Sequence, residues 1–119
     1  MENKNLENIK GKKVLIVGMG KSGIAAVQAM LALGAEVSIQ DAKERNAVDG
    51  QLLNFLEGKQ VHCYFHEVPV AEEKFDMLIL SPGVDPTLPF IREAEAHGAE
   101  IIGELEIAYR IARGTFVAI

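Results

Sequence analysis

One cysteine, Cys63, is all the thiol chemistry in 119 residues, so no disulfide frame can hold the chain and a reducing compartment is permitted. It stands in an apolar stretch, which suits a buried, inert thiol rather than a nucleophile. Cations are scarce as well: 12 Lys and Arg face 17 Asp and Glu, for a net charge of −5. With no basic run either, a nucleic-acid surface is excluded. No apolar run is long enough to span a membrane, and Met1-Glu2-Asn3-Lys4-Asn5-Leu6 lacks the apolar core of a signal peptide. A cytoplasmic protein with neither membrane nor nucleic acid as partner is the expectation. No zinc spacing or Ser-His-Asp arrangement is present; His62 and His66 have no nearby carboxylate or thiolate pair, so no metal site is expected. A Walker-type phosphate loop is missing too: Gly20-Lys21-Ser22 would need a further glycine at position 15, which is Leu15. ATP chemistry is therefore not expected in these residues.

What is present is an ordinary globular composition, 49% hydrophobic and 24% charged, at a length that suits one domain with its own core. Its organising stretch is Val14-Leu15-Ile16-Val17-Gly18-Met19-Gly20-Lys21-Ser22-Gly23. Four branched aliphatics in a row suit a strand covered on both faces, and Ile24, Val27 and Leu31 then repeat at helical spacing in an alanine-rich background. The glycines fall where one period gives way to the other. Gly18 suits a tight turn, Gly20 allows an anion to approach the backbone, and Gly23 permits close helix-to-strand packing. Amides at the helix start favour an anion. A second strand at 36–40 ends in Asp41, 18 residues past Gly23, close to the spacing of a carboxylate that binds ribose hydroxyls. The same turn could serve packing alone.

Read in order, residues 1–12 are a polar, flexible arm, and 13–114 fold around strands at 13–17, 36–40, 61–65, 75–80 and 100–102. Helices are expected at 21–33, 47–57, after Pro89, and from Glu104 to about 113, the last with its spacing carried by Leu105, Ala108, Tyr109 and Ala112. Asp85 or Thr87 is expected to cap the third helix, and Glu104 and Glu106 to act in capping and solvation. The alternation predicts an α/β fold: a Rossmann-like, doubly wound, mostly parallel five-stranded sheet with helices on both faces, ordered 3-2-1-4-5. In that order Ser81-Pro82-Gly83, directly after the fourth strand, lies across the ligand crevice from the glycine turn. Lys43 and Arg45, beyond Asp41, could meet a phosphate or simply be solvated.

Three segments together resemble the N-terminal domain of the Mur ligases, most of all the D-glutamate-adding members. They are Gly18-Met19-Gly20-Lys21-Ser22-Gly23, Leu80-Ser81-Pro82-Gly83-Val84, and Ile102-Gly103-Glu104-Leu105-Glu106 followed by Tyr109-Arg110. The resemblance covers about residues 12–119. It implies that the domain holds the uridine diphosphate of UDP-N-acetylmuramoyl-L-alanine, with no catalytic residue of its own. It implies ATP and magnesium for the whole ligase but not for this piece, and a further ATP-binding domain that begins at 115–119. Carried over by position, Lys21 and Ser22 would meet the diphosphate and Asp41 the uridine end, with Lys43 beside it. Gly83 would let the substrate pass close to the backbone. Gly18, Gly20, Gly23, Ser81 and Pro82 complete the expected site. Ala42 departs from the hydroxyl residue often found there. The alternative reading is an NAD(H)-binding domain of a dehydrogenase or redox-sensing regulator.

Overall fold

The structure is a computed structural model that describes residues 9–18, 21–69 and 73–112. Its centre is β1 (Lys13–Val17), whose residues 14–17 are all buried because neighbours lie on both edges and helices on both faces. On one edge stand β2 (Glu36–Asp41) and then β3 (His62–Phe65); on the other stand β4 (Met77–Leu80) and β5 (Glu100–Gly103). The order is therefore β3-β2-β1-β4-β5, as the sequence predicts, and all four pairings are parallel. Parallel strands need covered crossovers, which explains the unbroken apolar run of Met77-Leu78-Ile79-Leu80.

The alternation along β1 divides the core. Val14 and Ile16 point to a larger layer that includes Val27 and Met30 of α1 (Lys21–Ala32), Leu56 of α2 (Gly50–Gly58) and Ile107 of α4 (Glu104–Ala112). Leu15 and Val17 point to the opposite layer with Leu78, Leu80 and Ile91 of α3 (Pro89–Ala96). The chain thus leaves β1 and β4 toward opposite faces. That is the topological condition for a ligand crevice at their carboxyl ends.

Several boundaries differ from the sequence reading for identifiable reasons. The second helix starts at Gly50, not 47, because Asp49 is its cap: the Asp49 carboxylate accepts from Leu52 N–H at 3.2 Å. Residues Arg45–Ala47 make a separate 3₁₀ turn. Asp85 and Thr87 do not cap α3; Asp85 Oδ1 accepts from both the amide and the hydroxyl of Thr87, and the helix is entered through Leu88 and Pro89. That double bond holds the Asp85 carboxyl below the usual carboxylate range. On α4 the expected stripe faces outward, with Leu105 75% and Tyr109 57% exposed, while Glu104 and Ile107 turn inward. Glu104 is therefore buried rather than solvated. Cys63 is half-buried, and desolvation raises its thiol pKa, which keeps the thiolate scarce at neutral pH.

The expected N-terminal arm is described only at its inner end. Ile9 is 2% exposed within the larger core layer, and Gly11 N–H donates to Gly34 C=O at 2.9 Å. The folded body thus reaches back to residue 9; residues 1–8, like the expected strand at 115–119, lie outside the described residues. Ile9→Ala should cost about 2–5 kcal/mol in urea unfolding, the range for a fully buried aliphatic. An arm with no role in the core would give no change.

Candidate functional site

The carboxyl ends of β1, β2 and β4 open on a crevice of about 540 Å³, bounded by Gly18, Asp41 and Gly83 among others. Each wall is set by a backbone event at a strand end. At the end of β1, Gly18 has φ +102° and donates its N–H to Gln40 C=O at 2.8 Å. A side chain there would be strained and would also collide, since a Cβ would lie 2.5 Å from Ser81 Oγ. Gly23, in the first turn of α1, is constrained differently: a Cβ would drive into the carbonyl oxygen of Gly18. The two glycines serve close backbone approach, as their spacing predicts. Gly20 lies outside the described residues. So do the side chains of Lys21 and Ser22, whose backbone opens α1.

At the end of β2, Asp41 is partly exposed, and its Oδ1 accepts from Lys43 N–H at 2.8 Å, folding the loop back on itself. Lys43 and Arg45 are exposed, and the Arg45 guanidinium is tied to α2 by its pairing with Glu57 at 3.1 Å. Ser81 follows β4; its N–H donates to Val17 C=O at 2.9 Å, and its hydroxyl donates to Glu104 Oε2 at 2.8 Å. Pro82 and Gly83 are exposed beyond it, and a Cβ on Gly83 would meet nothing within 4 Å. Of the residues expected in the site, Gly18, Asp41 and Gly83 line one crevice; Ser81 packs behind Gly18, and Gly23 is packed beneath it.

Three supporting residues are not found by sequence reasoning. Gln40 is 8% exposed: its carbonyl holds Gly18, and its side-chain Nε2 donates to Glu67 C=O at 3.0 Å. His66, with φ +58°, fixes the β2 exit. Its N–H donates to Asp41 C=O at 2.9 Å, and its ring Nδ1 lies 3.1 Å from Ala42 C=O, so that nitrogen carries the proton. Glu104 is the third. The sequence marks it as part of the Ile102-Gly103-Glu104-Leu105-Glu106 segment and as a helix-start residue, not as a buried partner of Ser81. Among the described residues no group of three or more His, Cys, Asp or Glu is arranged to hold a metal ion, and no helix is long and apolar enough to cross a membrane.

The sheet order and the crevice at the switch point define a Rossmann-like doubly wound domain. Solved structures agree on the fold alone. Shikimate dehydrogenase from Aquifex aeolicus superposes with a TM-score of 0.51 at 16% identity, over 97% of this chain and 55% of that one. A chorismate mutase/shikimate 5-dehydrogenase fusion protein from Clostridium acetobutylicum gives 0.51 at 13% identity, over 96% and 51%. Sequence is more specific: residues 12–103 match the family described as Mur ligase MurD-like, N-terminal domain, and the chain belongs to that family. Its relatives include proteins named UDP-N-acetylmuramoylalanine--D-glutamate ligase. That of Desulfitobacterium hafniense is 45% identical across 87% of this chain and 22% of its own length. That of Alkaliphilus oremlandii is 38% identical across 94% and 25%. The chain thus spans about a quarter of the length of these relatives.

The geometry at Gly18 makes a stability prediction. Gly18→Ala combines a left-handed φ with a clash against Ser81, and should lower the unfolding free energy by about 1–3 kcal/mol in chemical denaturation. An unchanged midpoint would mean that the turn is looser than its contacts with Ser81 and Gln40 require.

Proposed function

We propose that this chain is the nucleotide-anchoring, N-terminal part of a ligase that adds D-glutamate to UDP-N-acetylmuramoyl-L-alanine with hydrolysis of ATP. The observation that carries the reading is the coincidence of family match and geometry. The segments that resemble the family's substrate domain, at Gly18 and at Ser81-Pro82-Gly83, meet at one crevice. In this reading residues 13–114 hold the uridine diphosphate, 115–119 begin the ATP-binding domain, and catalysis needs the central and C-terminal domains. The setting is a cytoplasmic step in peptidoglycan precursor synthesis.

Charge sorts the ligand within the crevice. Asp41 and Asp85 line it, and the Thr87 bonds that depress Asp85 keep that carboxylate ionised down into the acid range. Two carboxylates repel a diphosphate and accept from hydroxyl or N–H donors. The diphosphate therefore belongs at the glycine turn, where the amides that open α1 favour an anion, and the ribose and base belong beside Asp41. Lys21 and Ser22 are assigned to the diphosphate, Lys43 to the uridine end, and Gly83 to close passage of the substrate. ATP and magnesium do not fit these residues, because Leu15 stands where a Walker-type loop needs glycine, and no step through them is assigned to this chain. A few such polar contacts sum to ~4–6 kcal/mol, so the dissociation constant should lie between roughly millimolar and tens of micromolar.

Calorimetric titration with UDP-N-acetylmuramoyl-L-alanine and, separately, NADH tests the reading. Heat with the uridine ligand alone is expected; heat with NADH alone would make this a dinucleotide domain and overturn the ligase assignment. Within the crevice, Gly83→Val should leave the fold intact, because its Cβ has open space, and weaken the uridine ligand at least about tenfold. Asp41→Ala should weaken it as well, and unaltered affinity would remove that carboxylate from the ribose or base.

A further inference from the structure

Gln40 and Glu104 are the buried polar side chains among the described residues, and only Glu104 is ionisable. It is 4% exposed, and its two oxygens are unequally served: Oε2 accepts the Ser81 hydroxyl at 2.8 Å, while Oε1 has no partner among the described residues. A half-satisfied buried carboxylate is expensive, and a helix start that needed only a cap or a negative charge could use an exposed one. Its location explains the arrangement. Glu104 is the first residue of α4, and its Oε2 lies 3.3 Å from where a Cβ of Gly23 would stand in the first turn of α1. The carboxylate therefore lies beside the first turns of two helices, where negative charge is favoured. Through Ser81 the same carboxylate reaches Gly18, because Ser81 Oγ is packed directly against that glycine. Glu104 itself does not line the crevice.

We propose that Glu104 is a positioning residue for the nucleotide crevice, holding Gly18 through Ser81 and filling the space beside Gly23, without touching the ligand. The proposal rests on the uridine-nucleotide reading for its effect on binding. Removing the carboxylate frees the Ser81 hydroxyl to rotate and opens space behind Gly18, so the wall that the ligand meets is no longer fixed.

The test uses the whole chain and uridine 5′-diphosphate as the probe. Glu104→Ala and Ser81→Ala should each weaken the nucleotide about fivefold to tenfold, the loss of one well-placed polar interaction, and the double variant no more than the worse single. Glu104→Gln keeps a carbonyl that can accept from Ser81 and should recover most of the affinity. Ile107→Val, one turn along the same helix, should lose stability but keep its affinity within about twofold, which separates positioning from general destabilisation. Glu104→Ala that binds as well as the unsubstituted chain, or more tightly, overturns the proposal; so does multiplicative loss in the double variant. If Glu104→Ala does not fold, Glu104→Gln and Ser81→Ala carry the comparison. Amide exchange at Gly18, whose N–H is bonded to Gln40 C=O, keeps the proposal separate from the nucleotide reading. Should the unsubstituted chain fail to bind the nucleotide, that reading falls, while faster Gly18 exchange in Glu104→Ala or Ser81→Ala, with Glu104→Gln close to the unsubstituted chain, would still support the positioning role, and unchanged exchange in Ser81→Ala would end it.

Discussion

The structure depends on the close approach of two backbones where β1 and β4 part. These strands run parallel and adjacent through four paired residues, Val14 to Val17 against Met77 to Leu80, and then turn to opposite faces of the sheet. A Cβ at Gly18 has no room because Ser81 already occupies it, and a Cβ at Gly23 has none because the turn folds back on Gly18 C=O. Every other part of the crevice takes its position from this contact. Ser81 N–H is tied to Val17, Gly18 N–H to Gln40, and Gln40 in turn to the segment after β3 through Glu67. Four adjacent strand ends are thereby linked: the first two bonds carry the parallel ladders one rung further, and the Gln40 side chain adds the third link.

That constraint also explains how much of the molecule could be read from its residues. The strands around the centre were plain because a strand buried on both faces must be apolar throughout, and Val14 to Val17 and Met77 to Leu80 are. The first turn was plain because glycine is the residue that its dihedrals and its crowding both demand. Reading failed where one residue acts without a period. Ile9 is one of two aliphatics, with Leu6, in a polar stretch, and no pattern distinguishes it from an exposed one, yet it is part of the core. Apolar Val48 extends the helical pattern one residue before the Asp49 cap, yet Val48 is buried from outside the helix.

α4 shows the failure most clearly. Its sequence offers two faces: an apolar stripe of Leu105, Ala108 and Tyr109, and a mixed one of Glu104 and Ile107. Hydrophobic patterning alone chooses the first. The fold buries the second, with Ile107 in the core and Glu104 bonded to the Ser81 hydroxyl beside the first turn of α1, which offsets part of its desolvation. A buried charge can be anticipated only when its partner is known, and that partner lies 23 residues away across the sheet. Of the candidate site, Gly18, Asp41, Ser81 and Gly83 are marked by their places at strand ends, while nothing in the sequence marks Gln40 and His66 as their supports.

The two ends of the crevice call for different chemistry, and this narrows what can occupy it. At the Gly18 end the chain leads into the start of α1, whose backbone amides favour negative charge. At the other, Asp41 and Asp85 oppose it and offer acceptors, while Val68 and Leu88, 49% and 37% exposed, present apolar surface that a flat, uncharged group could cover. A free phosphate would satisfy only the first end and a nucleoside only the second. A molecule anionic in its middle, with donors and a planar ring to one side, satisfies both, and its remaining substituents would pass out over Gly83, where the backbone carries no side chain. A nucleotide conjugate of the kind proposed would divide its contacts between the two ends, with no single strong one. In the proposed reading, the end of that conjugate that passes over Gly83 is the part left free for groups outside the crevice.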